Sequence, residues 1–248
     1  MTKKRVLFAV GGCFILLIYT VIVIVITTLV NKGSVTNNDN KQAVTNTVVA
    51  STSVPLDFTN INDTFDENKY EWGTPTSDNT ETSIVTKFIQ DGKYSWEVLA
   101  KKAVSSRSYL TVSAGANFTV SVDVKRIEGP NTTDEGIIFN KLDANNYYKF
   151  SVADAVKKYS LNVYSQGVST KLVDWTASTA IKSGEVNNLK VVVVGSKISL
   201  YINGNKVTQV TNDTLSNNSG IGLIATVYDI GKTGKFEFDN LIYHLDEE

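Results

Sequence analysis

Hydrophobic residues divide this chain into one uninterrupted apolar run and a longer part in which apolar and polar positions alternate. The run covers residues 6–30 and contains no charged residue. About 20 apolar residues in a helix cross the ~30 Å hydrocarbon core of a bilayer. Only a helix satisfies its own backbone hydrogen bonds there without water. The pattern therefore predicts one transmembrane helix over residues 6–30.

Positive charge is concentrated on one side of this run. Residues 1–5 include three cations in a row, whereas Lys32 alone follows closely on the other side. Because the more basic flank stays in the cytoplasm, we expect residues 1–5 to be a cytoplasmic stub and residues 31–248 to lie outside. A cleaved signal peptide has a shorter apolar run and a small-residue cleavage site. We therefore interpret the run as an uncleaved signal anchor of a single-pass membrane protein.

Residues 31–57 show neither a helical nor a strand period. They consist mainly of Asn, Thr, Ser and Val. Too few bulky apolar groups are present to offset the entropy lost on ordering this segment. We interpret it as a flexible linker that holds an exterior domain, residues 58–248, clear of the membrane surface.

Alternation with a period of two dominates from Phe58 onward. Short β-branched and aromatic runs are separated by Gly, Asn, Asp and Ser, and Asp91-Gly92 and Asn203-Gly204 are typical two-residue hairpin turns. The pattern predicts an all-β antiparallel sandwich. It also predicts which alternating side chains enter the core: Phe118, Val120, Val122, Val124, Tyr148, Phe150, Val152, Leu189, Val191, Val193, Ile198, Leu200 and Ile202.

Composition narrows the class of protein. The only cysteine, Cys13, lies in the predicted membrane helix, so the exterior domain has no disulfide. Cysteine-free exterior domains fit a bacterial surface better than an animal one. The chain has 24 basic and 25 acidic residues, and without the N-terminal cations the exterior part is mildly acidic. Such a surface does not neutralise phosphates, which excludes nucleic-acid binding.

Several strand sequences carry a family resemblance. GIIFNKLDANNYYKFSV from Gly136, NNLKVVVVGSKISLYINGNKV from Asn187 and FEFDNLIY from Phe236 resemble the concanavalin A-like (laminin-G-like) jelly rolls. More narrowly, residues 58–245 resemble the bacterial 3-keto-disaccharide hydrolase and family 66 carbohydrate-binding modules. The resemblance implies two curved antiparallel sheets with adjacent termini, and glycan binding on the concave face or rim. These motifs are structural, so they specify the fold better than the ligand.

Candidate catalytic residues are sparse. Glycoside hydrolysis normally needs two carboxylates on one face, and the E-x-D-x-x-E string of catalytic sandwiches is absent. Asp123 and Glu128 have the wrong strand parity to share a face. Asp134-Glu135 occurs in turn-like sequence and is interpreted as a pair of solvated loop acids. His244, the only histidine, lies beside an acidic tail. The sequence therefore predicts a noncatalytic protein.

Two kinds of binding site remain. Calcium needs only oxygen ligands. Asp63, Asp66 and Asp239 would meet if the first and last strands are neighbours, as the resemblance implies. The alternative is that these three acids cap the ends of strands. No other cofactor is indicated. For a glycan, aromatic and amide groups on the face opposite the core would form the site. These candidates are Asn140, Tyr147, Lys149, Lys190 and Tyr201, with Trp175 at a strand end. Ordinary cross-strand pairing on a solvated sheet is the alternative interpretation.

The sequence thus favours a membrane-anchored, noncatalytic carbohydrate-binding module whose partner is a glycan or cell-surface polysaccharide. One alternative is a protein-interaction or structural ectodomain that docks a membrane protein. The other is a glycoside hydrolase with an unrecognised site on its loops.

The anchor makes a topological prediction. A C-terminal tag on the full-length chain should pellet with membranes and be digested when intact spheroplasts are treated with protease, because residues 31–248 are expected outside. Immunoblotting of the fractions measures both outcomes. A released soluble product, or a tag protected until the membrane is lysed, would contradict the predicted topology.

Overall fold

The computed structural model describes residues 58–74, 76–216 and 218–246. The predicted cytoplasmic stub, transmembrane helix and linker lie outside these residues. Within the described part of the chain, no helix is long and apolar enough to cross a membrane. The signal anchor therefore stays a prediction.

The described residues form fifteen strands and one short 3₁₀ helix at Asp154–Val156. In chain order the strands are β1 (Asn60–Asp63), β2 (Thr76–Asn79), β3 (Ser83–Gln90), β4 (Lys93–Ala100), β5 (Val104–Thr111), β6 (Asn117–Glu128), β7 (Asp134–Asp143), β8 (Asn146–Ala153), β9 (Lys158–Ser165), β10 (Val168–Ala177), β11 (Asn187–Val194), β12 (Lys197–Ile202), β13 (Asn205–Thr211), β14 (Gly220–Val227) and β15 (Thr233–Leu245). The prediction of an all-β domain is confirmed.

These strands form two antiparallel sheets. A nine-stranded sheet has the order β13-β12-β11-β6-β15-β4-β3-β2, and β1 pairs with the C-terminal half of β15. A six-stranded sheet has the order β10-β9-β8-β7-β14-β5. Asp63 lies opposite Leu241, so the first and last strands are neighbours, as the resemblance implied. The antiparallel sandwich is therefore confirmed, and so is the expected pairing of its first and last strands.

The hairpin turns follow from local backbone chemistry. Asp91 and Gly92 both have positive φ, as do Asn203 and Gly204. A two-residue turn with this conformation matches the twist of antiparallel strands, and Asn, Asp and Gly adopt it most readily. The β3–β4 and β12–β13 hairpins predicted from these dipeptides are confirmed.

The core lies between the two sheets. Every side chain predicted from alternation to be inward is buried, from Phe118 on β6 to Ile202 on β12. They join one continuous hydrophobic cluster. Strand β8 differs from the expected pattern, because seven of its eight residues are buried and its outward-facing Tyr147 and Lys149 are among them. The outer face of the six-stranded sheet is therefore covered by side chains, which alternation alone does not predict.

Leu200 and Tyr201 test the assignment of faces. Leu200 is fully buried, whereas Tyr201 is only partly buried on the opposite face of β12. Leu200→Ala should lower the free energy of unfolding by about 2–5 kcal/mol, because it leaves a cavity in the core. Tyr201→Ala should cost clearly less. Urea unfolding of the two full-length variants compares them, and equal losses would contradict the assignment.

Candidate functional site

The predicted glycan-binding residues lie on two different sheets. Lys190 and Tyr201 lie directly opposite each other on β11 and β12 of the nine-stranded sheet, with the lysine Nζ 4.6 Å from the ring centre. Tyr147 and Lys149 lie on β8 of the six-stranded sheet. Because the core separates the two outer faces, these four side chains do not form one surface. The expectation of a shared face was wrong, since strand parity separates inward from outward but does not identify the sheet.

Asn140 does not lie on the outer face of either sheet. A β-bulge interrupts the β7–β8 register after Phe139, and Asn140 has a left-handed backbone with φ of +46°. Its side chain is buried, and its Nδ2 donates to the Leu215 carbonyl at 3.3 Å. A bulge redirects side chains that simple alternation would place on the outer face. Asn140 therefore holds the segment that precedes β14, which corrects its predicted place beside Tyr147.

A cleft lies on the outer face of the six-stranded sheet. On neighbouring strands, Lys149 lies opposite Asn162, and Asn162 lies opposite Lys171. We call this depression the outer cleft; it is lined by Lys149, Ser160, Asn162, Tyr164, Lys171, Asp174, Trp175 and Tyr228. It brings together two of the predicted residues, Lys149 and Trp175.

Tyr147 supports the cleft from the side. Its ring stacks on that of Tyr164 on the next strand, with 4.5 Å between ring centres and 16° between planes. Tyr147 is only 4% exposed, so most of its surface contacts protein. It fixes the orientation of Tyr164 at the cleft wall.

A buried ion pair forms the floor of the cleft. Asp134 is fully buried at the start of β7, and its carboxylate lies 2.8 Å from the Lys149 ammonium. The Tyr228 hydroxyl donates to the other carboxylate oxygen at 2.6 Å, and Lys149 also donates to Thr226 Oγ1 at 3.0 Å. The interpretation of Asp134 as a solvated loop acid was therefore wrong. Its burial is possible because a cation and a hydroxyl from adjacent strands satisfy it.

Tyr228 remains a hydrogen-bond donor in this setting. Burial raises the pKa of its phenol, and the neighbouring Asp134 carboxylate raises it further. A neutral phenol keeps its proton and holds the carboxylate that orients Lys149. The cleft floor is thus a fixed network of a cation, a carboxylate and a hydroxyl.

A second ion pair lies at the rim. The Lys171 Nζ is 2.8 Å from Asp174 Oδ1, and both side chains are exposed. The hydrogen bond from Lys171 lowers the pKa of Asp174, as does the bond from the backbone N–H of Trp175. Asp174 therefore stays ionised next to the Trp175 ring. The cleft combines paired opposite charges with aromatic rings, which can hydrogen-bond hydroxyls and pack against apolar C–H groups.

Glu135 faces away from this cleft. It lies opposite Val152 and Ala225 on the core face, it is fully buried, and neither carboxylate oxygen has a hydrogen-bond partner among the described residues. Burial raises its pKa well above the ordinary 4.5, and the neighbouring carboxylates Asp154 and Asp134 raise it further. Glu135 was also wrongly interpreted as a solvated acid. Because adjacent strand residues point to opposite faces, Asp134 and Glu135 do not share a site.

The three acids proposed for calcium have other partners. Asp63 is buried, and it accepts hydrogen bonds from Trp72 Nε1 at 2.7 Å and from a backbone N–H at 2.9 Å. Asp239 pairs with Lys93, and Asp66 accepts from a nearby threonine hydroxyl. Within the described residues, no three acidic, His or Cys side chains form a group that could hold a metal ion. This geometry corresponds to the capping alternative and gives no support to the calcium hypothesis.

Sequence reasoning missed several residues of the cleft. Asn162 and Tyr164 alternate with the buried Leu161 and Val163, so parity could have identified them as outward-facing. The sequence does not indicate that Asp134 is buried, because the Gly-Pro-Asn-Thr-Thr stretch before it is typical of a turn.

Comparisons with known proteins agree with the fold. A family model described as a 3-keto-alpha-glucoside-1,2-lyase-like domain matches residues 57–241. A β-glucanase from Bacillus licheniformis aligns with a TM-score of 0.55 and 11% identity, covering 75% of this chain and 98% of the glucanase. A Bacillus subtilis protein of unknown function with a galectin-like fold gives 0.54 and 11%, covering 74% and 93%.

A family 66 carbohydrate-binding module from Bacillus subtilis gives a TM-score of 0.49 and 17% identity, covering 70% of this chain and 95% of the module. No curated protein sequence matches the chain significantly. At these identities the structural similarities concern the fold alone. The family model, the β-glucanase and the galectin-like protein agree with the concanavalin A-like jelly roll.

Glu135 gives a prediction about pH. Its folded pKa lies above the unfolded value, so its contribution to stability is full below about pH 4.5 and is lost as pH rises toward the folded pKa. Glu135→Gln removes this titration. It should therefore raise the free energy of unfolding relative to wild type at neutral pH, with the difference shrinking toward about pH 4.

Urea unfolding of the full-length chain from about pH 4 to about pH 8 measures this difference. Glu81→Gln, at an exposed loop position, is the control and should show no comparable gain. A difference between wild type and Glu135→Gln that does not change with pH would contradict the raised pKa.

Proposed function

Because the chain belongs to the family of 3-keto-alpha-glucoside-1,2-lyase-like domains, we propose that its β-sandwich binds a glycan in the outer cleft of the six-stranded sheet. One observation carries the proposal. The buried Asp134 and Lys149 and the exposed Tyr228 form a network of an ion pair and a hydrogen bond beside Trp175 and Tyr164. Polar groups held in place beside aromatic rings are what a sugar-binding surface requires.

The chemistry of a sugar ring fits this cleft. Each hydroxyl both donates and accepts, so it can bridge the cation and carboxylate of a pair such as Lys171 and Asp174. The C–H face of the ring can pack on Trp175, whose side chain is partly buried. Preorganised groups lose little entropy on binding, which favours affinity from a small contact area.

Binding without catalysis is the role we infer. Glycosidases normally use two carboxylates flanking the scissile bond. Of the acids at this cleft, Asp134 is committed to Lys149 and Tyr228, and Asp174 is paired with Lys171. Glu135 faces the core. The family description includes a lyase activity, so formation of reaction products is the outcome that would replace binding by catalysis.

Anchoring of the domain in a membrane would allow a weak glycan-binding site to retain a polysaccharide. We infer that residues 6–30 hold the protein in the cell membrane with the β-sandwich outside the cell. By analogy with aromatic pairs, stacking of a sugar on one aromatic ring contributes about 0.5–1.5 kcal/mol beyond area burial. Display of many copies on one surface would then supply avidity for a repeating polysaccharide.

Trp175→Ala tests the site. The variant should weaken binding by about 2- to 10-fold, corresponding to the loss of one aromatic contact, with little change in the thermal unfolding midpoint because the residue is on an edge strand. Calorimetry of the full-length chain in detergent against a panel of bacterial and plant polysaccharides measures the affinity. Tyr201→Ala on the other sheet is the matched control and should bind like wild type.

Three results would overturn the proposal. Loss of binding in Tyr201→Ala but not in Trp175→Ala would move the site to the nine-stranded sheet. Accumulation of shortened or unsaturated sugars on long incubation would identify an enzyme. Capture of a stoichiometric membrane protein, with no affinity for any glycan, would favour the protein-interaction alternative.

A further inference from the structure

Arg107 and Lys141 are cations near one end of the outer face of the six-stranded sheet. Arg107 on β5 and Lys141 on β7 take part in none of the ion pairs among the described residues. In the outer cleft, by contrast, Lys149 and Lys171 are each paired with an aspartate. The charges at the cleft are thus two ion pairs with Lys158 near Asp174, whereas Arg107 and Lys141, near the β7–β8 hairpin, are in no ion pair of the described residues.

Both cations are held against aromatic rings. The Arg107 guanidinium carbon lies 5.4 Å from the Tyr147 ring centre, and its Nη1 donates to the Tyr147 hydroxyl at 3.1 Å and to the Ala144 carbonyl at 3.2 Å. The Lys141 Nζ lies 4.3 Å from the centre of the Tyr109 ring. Such contacts orient a cation without neutralising it. We call Arg107, Tyr109, Lys141 and Tyr147 the basic end of the face.

The floor of the basic end is apolar and flat. Ile138 and Ile224 are buried there with Tyr147, and Tyr109 and Tyr164 pack against them. Gly222 lies between Tyr109 and Ile138 on the middle strand, and a Cβ at this position would come within 2.7 Å of the Tyr109 ring. Glycine therefore allows the ring to lie against β14. Since Tyr164 also lines the outer cleft, the two regions are contiguous.

Local electrostatics leave both cations open to a ligand. Burial raises the pKa of Tyr147 to about 12, although Arg107 opposes the rise, so the phenol stays neutral. Asp143 is close enough to Lys141 for the ammonium to help lower its pKa. However, its carboxylate is held chiefly by Asn145 and Asn146 at the exposed hairpin tip. Arg107 donates through Nη1 to Tyr147 and Ala144 and also hydrogen-bonds Tyr109. A guanidinium has five N–H donors, so donors remain for a planar carboxylate.

We propose that the basic end binds a carboxylate carried by the glycan, so that the ligand of this face is a saccharide containing uronic acid. This inference rests on the proposed function, because the carboxylate belongs to the same glycan that enters the outer cleft. The exterior domain is mildly acidic overall, so it does not attract an acidic glycan from a distance. The positive charge of the basic end acts at short range and contributes to specificity. A neutral saccharide would leave Arg107 and Lys141 without a counter-charge.

Matched polysaccharides test the ligand class. Polygalacturonate, polyglucuronate and hyaluronan are titrated into the full-length chain in detergent, each beside its carboxyl-reduced, neutral form. The acidic form should bind at least about tenfold more tightly at low salt, and added salt should narrow the difference as it screens the exposed charges. Dextran sulfate serves as a probe for charge without carboxylate.

Variants assign the effect to the basic end. Arg107→Gln and Lys141→Gln should each reduce binding of the acidic form toward that of the neutral form and leave the neutral form unchanged. Lys190→Gln is the matched control, because it removes the same lysine-over-tyrosine contact from the nine-stranded sheet. Thermal unfolding of each variant separates loss of binding from loss of fold, and Lys141→Gln keeps the test available if Arg107→Gln fails to fold.

The outcomes separate this inference from the proposed function. If the carboxyl-reduced forms bind as tightly as the acidic forms, the uronate inference is overturned and glycan binding stands. If dextran sulfate binds as well as the uronates and is equally sensitive to Arg107→Gln, charge alone is recognised and the carboxylate assignment is overturned. If no saccharide binds in either form, both are overturned.

Discussion

The buried ion pair between Asp134 and Lys149 is the interaction on which the outer face of the six-stranded sheet depends. Asp134 is 0% exposed and Lys149 is 6% exposed, so neither charge would be tolerated there without the other. Tyr228 donates a hydrogen bond to the carboxylate, and Lys149 donates one to Thr226. The network joins strands β7, β8 and β14 across the sheet, and it fixes the floor of the outer cleft before any ligand enters.

This network also explains why the two outer faces of the sandwich differ. Both carry a cation over a tyrosine, but Lys190 lies over a partly solvated Tyr201, whereas Arg107 lies over a Tyr147 that is almost fully covered. On the six-stranded sheet, long side chains pack over one another around a buried polar centre. The result is one surface with two ion pairs at its cleft and a basic end, and this is the combination that supports a glycan ligand on this sheet.

Alternation along the chain was sufficient to predict the all-β sandwich, its hairpins and its core. Inward side chains such as Val120 and Leu200 are determined by the strand period, because successive residues must point to opposite faces. Asn203-Gly204 determined its turn for an equally local reason, since both residues accept positive φ. The membrane anchor at residues 6–30 rests on length and hydropathy alone and stays a prediction.

Only the tertiary structure decided which outward residues meet. Tyr147 and Tyr201 have the same parity but lie on opposite sheets, because strand pairing depends on contacts between distant parts of the chain. The bulge at Asn140 turned a predicted ligand contact into a structural one. Asp134 looked like a solvated turn residue because the partner that makes its burial possible, Lys149, comes from the next strand. The sequence determines which side chains of a strand point inward, whereas the pairing and register of the strands determine which outward side chains meet at the site.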